Sequence, residues 1–245
     1  MILPPVLIVA HGQPSDPDRA EVELAELGLS VAGHMEGRQV ASATLAAPGA
    51  LAAALARLGP GGRVYPLFMA GGWFTRVHLP KRLAEAGALG WQVLEPMGCD
   101  PAVQDLAVRI VAEAGAAGFG QADSVILAAH GSGQSSAPAD IAVHVAGLIT
   151  ARLGLRVQVG FIDQTPRLAD LRDHGAGAIC LPFFAASGGH VTLDIPAALA
   201  EAAFQGRLLP ALGLDARLPA LIAAAVTADQ PVCATGCRWR RVQTA

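Results

Sequence analysis

Short apolar runs alternate with alanine- and leucine-rich stretches along the whole chain. Such runs are typical of strands buried on both faces, and their alternation with helical stretches predicts parallel sheets covered by helices. Strands are predicted near residues 5–10, 38–45, 63–69, 91–95, 124–129, 156–162, 177–184 and 206–209. Helices are predicted near residues 18–36, 49–58, 78–87, 101–117, 138–153, 166–174, 193–204 and 216–228.

The pattern is repeated in the two halves of the chain. A strand ending on His-Gly, a Pro-aromatic strand with a later proline, and a Leu-x-Pro strand end recur in the same order. The paired landmarks are His11 and His130, Pro66 and Pro182, and Asp100 and Asp215, which lie 119, 116 and 115 residues apart. A near-constant offset of about half the chain indicates an internal duplication.

The duplication predicts two similar α/β lobes that face each other across a cleft. We place the first lobe at residues 1–117, the second at 118–230 and a Cys- and Arg-containing tail at 231–245. The glycine-rich stretch near 114–123 is the predicted linker.

Composition narrows the class of protein. Of the 245 residues, 53% are hydrophobic and 15% charged, which excludes a disordered chain. The net charge of −3 gives no reason to expect a nucleic-acid partner. No apolar run reaches the roughly 18 residues of a membrane span, and the N-terminus lacks the basic region of a signal peptide. We therefore expect a soluble cytoplasmic protein with no membrane partner, either a monomer or a weak homodimer.

Histidines stand where predicted strands end. His11 and His130 directly follow the first strand of each half, and His190 follows the strand that contains CLPFF. Ligands of parallel α/β sheets bind beyond the carboxyl ends of the strands. His130 and His190 could therefore bind a divalent metal, or act as a proton acceptor and its helper. Asp194, four residues after His190, is expected to cap the next helix or to orient the histidine.

The second half concentrates the candidate chemistry. Asp163 ends its second strand, where the first half offers only Thr44 or Leu45. Alignment by the prolines puts Phe74 opposite His190 and His78 opposite Asp194. His11 and His78 are therefore secondary candidates, and a structural histidine that bonds its own loop is the alternative interpretation. His34, His144 and His174 fall in or beside predicted helices, and a surface role is expected for them.

The GGWFTRVH segment of the first half brings Trp73, Phe74 and Arg76 together. Aromatic rings and an arginine suit a flat, acidic, conjugated ligand. We therefore assign these three residues to substrate binding.

Two motifs of the second half carry a family resemblance. HGS at 130–132 and GGHVTLDIP at 188–196 resemble the class II tetrapyrrole chelatases, and in particular the sirohydrochlorin chelatases of the CbiX/SirB family. The resemblance covers nearly the whole chain, because each half is similar to one copy of the short single-domain form. The first half keeps His-Gly but lacks the second histidine.

The resemblance implies a chelatase-like fold of two flavodoxin-like lobes. It implies insertion of Co²⁺ or Fe²⁺, with Ni²⁺ or Zn²⁺ accepted in vitro, into sirohydrochlorin or a related reduced tetrapyrrole, in cobalamin or sirohaem biosynthesis. His130 and His190 would bind the metal and accept the pyrrole protons. Asp163 would be the strand-end acid, although its segment reads Phe-Ile-Asp where the family has Phe-Leu-Glu. Ser132 of the HGS motif is assigned to the tetrapyrrole substrate, and no organic cofactor is expected.

Two other classes of protein fit parts of the sequence. A non-catalytic tetrapyrrole- or metal-binding protein would explain the altered first half. An unrelated α/β protein could bind a small anion at HGSGQSS, although this loop lacks the P-loop lysine and the dinucleotide glycine spacing. In the tail, Cys233 and Cys237 could bind metal at a dimer interface, form a disulfide or have no role.

Overall fold

The computed structural model describes residues 4–88, 90–116 and 122–228. These residues form eight strands and seven α-helices, joined by short 3₁₀- and π-helices. The strands are β1 (Val6–Ala10), β2 (Val40–Thr44), β3 (Gly62–Pro66), β4 (Trp91–Val93), β5 (Ser124–Ala129), β6 (Arg156–Phe161), β7 (Ile179–Pro182) and β8 (Arg207–Leu208). The α-helices are α1 (Pro17–Ala32), α2 (Ala50–Leu58), α3 (Leu79–Glu85), α4 (Pro101–Ala116), α5 (Ala137–Leu153), α6 (Ile195–Glu201) and α7 (Leu218–Thr227).

The chain divides into two compact units. The first comprises the described residues of Met1–Asp100 and Ala216–Ala245, and the second those of Pro101–Asp215. The first unit contains a parallel sheet of order β2-β1-β3-β4, and the second a parallel sheet of order β6-β5-β7-β8. The two topologies are the same, which confirms the predicted α/β fold with two similar lobes.

Each central strand lies in a closed apolar core. Every residue of β5 is buried, as are Val6 to Val9 of β1. Cys180 on β7 is fully buried, as expected, and burial raises the pKa of its thiol to about 12. Full burial on both faces explains why these strands appear in the sequence as continuous apolar runs.

Two helices cross the division that the sequence repeat predicts. Helix α4 packs on α5 and β7 of the second unit, and α7 packs on α1 and β3 of the first. Arginine side chains bind the ends of both helices: Arg63 donates to the carbonyl oxygens of Val226 and Ala228, and Arg207 donates to that of Ala114. The boundary between residues 117 and 118 stays a prediction for the sequence repeat. In the compact units, α4 of the first half belongs to the second unit and α7 of the second half belongs to the first.

All eight predicted strands are present, but the helix predicted at 166–174 is wrong. This segment forms only a 3₁₀ turn, Leu168–Asp170. Pro166 and Leu171 hold it against β6, and Asp173 has a left-handed φ of 61°, which ends any helix. A Cβ atom on Gly160 would lie 2.9 Å from Leu168 Cα, so the glycine permits this close approach.

Each unit has a π-helix after its third strand. Residues Phe74–His78 form it in the first unit and His190–Asp194 in the second, and α3 or α6 follows at once. Among the described residues, no helix has the length and apolar character needed to cross a membrane.

Candidate active site

His130 lies at the carboxyl end of β5, the central strand of the second unit. Its side chain is 46% exposed, and its Nδ1 lies 2.9 Å from the carbonyl oxygen of Gly131. Because a carbonyl oxygen only accepts, Nδ1 carries the proton and donates. Gly131 has a φ of +76°, and a Cβ there would come within 2.6 Å of Gln164 Cγ. A side chain at this position would therefore strain the turn, which glycine adopts without cost.

His190 opens the π-helix that follows β7. Its Nδ1 donates to Asp194 Oδ2 at 2.6 Å, which is a short, charge-assisted contact. Asp194 makes no side-chain capping bond to α6, so its carboxylate orients His190 and does not cap the helix.

The two imidazoles lie side by side. Their ring centroids are 4.6 Å apart and their planes are almost perpendicular, at 87°. Both Nδ1 atoms are donors, so the Nε2 lone pairs of the neutral rings are available for a metal or a proton. Phe184, which is buried, lies near both rings in a tilted orientation, with centroid distances of 6.4 and 6.2 Å. The strand order changes direction between β5 and β7, which is where doubly wound sheets bind ligands.

Asp163 lies beside His130, as predicted. Its Oδ2 is 3.3 Å from His130 Nδ1, and its backbone N–H donates to the His130 carbonyl oxygen. Within the described ranges, no cluster of three or more His, Cys, Asp or Glu side chains is arranged to hold a metal ion. The site therefore offers two imidazole nitrogens, with a carboxylate near the Nδ1 of each ring.

The expected first-unit counterpart of Asp163 was wrong. Asp163 N donates to His130 O, and in the first unit Ala46 N donates to His11 O in the same way. Ala46, and not Thr44 or Leu45, is therefore equivalent to Asp163. The predicted counterparts lay one or two residues too early because the sequence does not show how β1 pairs with β2 or β5 with β6.

The first unit replaces the histidine pair with an aromatic cluster. Phe74 meets His11 edge to face, with centroids 4.6 Å apart and planes at 78°, which nearly matches the geometry of His130 and His190. His78 stacks on Trp73 at 4.9 Å and 21°. His11 Nδ1 donates to Gly12 O at 2.9 Å. This unit keeps the geometry of the site but only one of its two strand-end histidines.

The residues assigned to substrate binding lie in both units. Trp73 is 58% exposed and Phe74 is 36% exposed. The Arg76 guanidinium lies beside Gly71, with Nη2 3.1 Å from where a Cβ would be. In the second unit, Ser132 Oγ accepts from Gln134 N at 3.1 Å, and Ser132 N donates to Gln164 Oε1 at 2.7 Å. Sequence analysis did not identify Gln164. The signal that could have done so is its counterpart in the first unit, the non-polar Ala47 that follows Ala46.

The remaining histidine and cysteine predictions fall outside this site. His144 contacts Gln104 at 3.2 Å and His174 contacts the carbonyl oxygen of Ala202 at 3.1 Å, both as part of the scaffold, while His34 is exposed. Cys233, Cys237 and the tail arginines lie outside the described residues.

Comparison with known proteins decides the family. A solved CbiX, described as the terminal enzyme for biosynthesis of siroheme in denitrifying bacteria, is 43% identical with a TM-score of 0.85. The match covers 92% of this chain and 99% of that one. This chain belongs to the CbiX family. The sequence model of the CbiX family matches residues 124–229, and this range contains His130, Asp163 and His190.

More distant structures share the fold of this CbiX family member. SirB from Bacillus subtilis, solved with Fe³⁺, is 14% identical with a TM-score of 0.70 over 91% of this chain and 93% of that one. A sirohydrochlorin chelatase SirB from B. subtilis subspecies spizizenii, in complex with cobalt, is 15% identical with a TM-score of 0.66 over 91% and 93%. No curated protein matches the chain.

Proposed function

We propose that this chain is a metal chelatase that inserts a divalent metal into sirohydrochlorin or a closely related reduced tetrapyrrole. The observation that carries the proposal is the His130–His190 pair, with both Nδ1 protons held and both Nε2 lone pairs available. Membership of the CbiX family, through 43% identity to an enzyme of siroheme biosynthesis, supports it.

Insertion requires that a hydrated metal lose water and that the macrocycle lose two pyrrole N–H protons. Two metal–nitrogen bonds form as these N–H bonds break, and two protons leave with no change in oxidation state. In our proposal His130 and His190 bind the incoming metal through Nε2. They then accept the pyrrole protons as the metal passes to the ring, because neutral imidazole is a base near neutral pH.

The two carboxylates support this cycle. Asp194 and Asp163 lie 2.6 and 3.3 Å from the Nδ1 atoms of His190 and His130. A carboxylate near Nδ1 makes the Nε2 atom a better ligand and stabilises the imidazolium after it accepts a proton. In this proposal Asp163 supports His130, and Asp194 orients His190.

Substrate recognition is proposed for four further residues. The exposed rings of Trp73 and Phe74 suit the flat face of the macrocycle, and Arg76 suits its carboxylates. The Ser132 hydroxyl, whose oxygen already accepts from Gln134, retains its hydrogen as a donor to a substrate oxygen.

The siroheme enzyme among the relatives favours Fe²⁺ as the metal substrate, and Co²⁺ is the alternative. Both ions suit imidazole ligands, so the site alone does not separate them. The test is the change in visible absorption when the protein is mixed anaerobically with sirohydrochlorin and either ion. Wild type should exceed the spontaneous rate, and His130→Ala and His190→Ala should not. A wild-type rate equal to the spontaneous rate would refute the proposal and favour a binding protein without catalysis.

A further inference from the structure

The loop that carries His130 is held by a side chain from the neighbouring strand end. Gln164 follows Asp163 after β6, and its Oε1 accepts from the Ser132 backbone N–H at 2.7 Å. The same side chain lies over Gly131, where a Cβ would come within 2.6 Å of it. Gln164 is therefore the side chain that closes this turn from the β6 side.

One peptide group connects Gln164 to His130. The N–H of the Gly131–Ser132 peptide donates to Gln164 Oε1, and its C=O accepts from His130 Nδ1 at 2.9 Å. Hydrogen bonds in such a chain polarise one another, so each strengthens the next. Because Gly131 has no Cβ, its own backbone offers little resistance to rotation of this peptide. Gln164 supplies the restraint.

Asp163 makes that restraint necessary. Its Oδ2 lies 3.3 Å from His130 Nδ1, so the carboxylate competes with the Gly131 carbonyl for the same proton. Charge-assisted bonds are the stronger class, and a ring that turned fully toward Asp163 would carry Nε2 to a new direction.

The first unit shows the same turn without the competition. His11 donates to Gly12 O at 2.9 Å, but Ala46 and Ala47 stand at the places of Asp163 and Gln164. The first unit therefore lacks both the competing carboxylate and the acceptor side chain that follows it in the second unit.

We propose that Gln164 is a positioning residue for His130. It fixes the Gly131–Ser132 peptide so that His130 Nδ1 donates to the Gly131 carbonyl oxygen and the ring keeps its place beside His190. The functional consequence rests on the proposed role of His130 as a metal ligand.

The test compares Gln164→Met, which removes the acceptor at similar volume, with Gln164→Glu, which keeps an acceptor oxygen. Gln134→Met is the matched control, since Gln134 is exposed and contacts the loop through its backbone N–H. The first measurement is the NMR shift of the His130 Nδ1 proton in metal-free protein, assigned with His130→Ala. In Gln164→Met we expect the signal of the His130 Nδ1 proton to move downfield, because its acceptor changes from the Gly131 carbonyl to the Asp163 carboxylate. In Gln164→Glu and Gln134→Met we expect the wild-type shift.

The second measurement is Co²⁺ titration of the same proteins. We expect Gln164→Met to weaken binding about tenfold, the lower range for residues that support a metal ligand. Gln164→Glu should restore it. A wild-type proton shift in Gln164→Met, or a Gln164→Glu that behaves like the Met variant, would overturn the proposal. If the Met variant does not fold, hydrogen exchange at the Ser132 amide of wild type decides. Slow exchange supports the bond to Gln164, and exchange at the rate of an unstructured peptide overturns it.

These outcomes are separate from those of the chelatase proposal. Expected shifts together with no metal insertion by wild type would leave the role of Gln164 standing and refute the proposed function. Normal metal insertion by wild type, together with a wild-type proton shift and wild-type Co²⁺ binding in Gln164→Met, would support the proposed function and refute the role of Gln164.

Discussion

The two units have the same backbone and different chemistry at the same edge of the sheet. In both, a histidine ends the central strand, a π-helix follows the third strand and a 3₁₀ turn follows the fourth. Phe74 meets His11 at 4.6 Å, the same centroid distance that separates His190 from His130. The π-helix and the pairing of rings therefore belong to the fold, since they persist where one ring cannot bind metal.

What differs is a small set of side chains. Asp163, Gln164, His190 and Asp194 of the second unit correspond to Ala46, Ala47, Phe74 and His78 of the first. Each change removes a metal ligand, a carboxylate or a hydrogen-bond acceptor. A few residues therefore place the proposed chemistry on the shared scaffold, and it can be removed without changing that scaffold.

The largest effect is expected from making the second unit resemble the first at its π-helix. His190→Phe reproduces the His11–Phe74 pair, so it should keep the fold while metal insertion falls by about 100-fold or more, the range for loss of a proton acceptor. The measurement is the steady-state insertion rate with thermal unfolding as the check of fold. His34→Phe is the control, because His34 is exposed in the first unit. Retained activity in His190→Phe would end the distinction between the units.

A smaller effect is expected at Asp194. Asp194→Ala frees His190 Nδ1 from the bond at 2.6 Å, and insertion should fall by about 10- to 100-fold. Asp194→Asn keeps an acceptor oxygen without its charge and should lie between the alanine variant and wild type. The measurement is the insertion rate of each variant, with substrate affinity measured alongside and expected to be the same in all three proteins. Equal rates in all three proteins would mean that the carboxylate does not assist His190.

The shared scaffold predicts equal costs in the two units. A Cβ on Gly98 or on Gly213 would lie 2.0 Å from a backbone oxygen, that of Met69 or Ala185. Gly98→Ala and Gly213→Ala should each destabilise the protein by about 1–3 kcal/mol, as overpacking does. Denaturant titration followed by circular dichroism measures the cost. Gly133→Ala is the control, because a Cβ at Gly133 would lie in open space and the residue has no left-handed φ. A large difference between the two costs would show that the scaffolds are not equivalent.

The smallest effect concerns the two described cysteines, one in each unit. Cys99 and Cys180 are both buried, so thiol reagents should modify each only when its unit opens. Site-resolved mass spectrometry then tells whether the units open together. Burial raises the folded pKa of Cys180 from 9.0 to about 12, so the stability from its neutral thiol is complete below pH 9.0 and is lost as pH rises through 12. Rapid modification of Cys180 at neutral pH in the folded protein would contradict this.

The fold could be predicted because its signals are local. Buried parallel strands appear as continuous apolar runs, and ordered repeats of His-Gly and Pro-aromatic segments showed the duplication. The helix predicted at 166–174 was wrong because Leu168 and Leu171 are held by contacts with β6 that no local pattern records. The exchange of α4 and α7 depends in the same way on packing between segments far apart in sequence.

The site could be predicted in part. His130, His190 and Asp163 follow predicted strands, and that placement alone brings them to one sheet edge. The counterpart Ala46 needed the hydrogen-bond register of β1 with β2, and Gln164 needed the path of one peptide group. Both depend on which backbone groups pair between separate segments, which spacing in a sequence does not encode.

The proposed metal ligands and proton acceptors belong to the second unit alone, and one pair of variants tests this placement most directly. His130→Ala and His11→Ala remove equivalent histidines, each of which bonds the next carbonyl at 2.9 Å. Insertion of Fe²⁺ and of Co²⁺ into sirohydrochlorin should fall by about 100-fold or more in His130→Ala and change by less than about threefold in His11→Ala. Equal losses in the two variants, or a larger loss in His11→Ala, would contradict the claim.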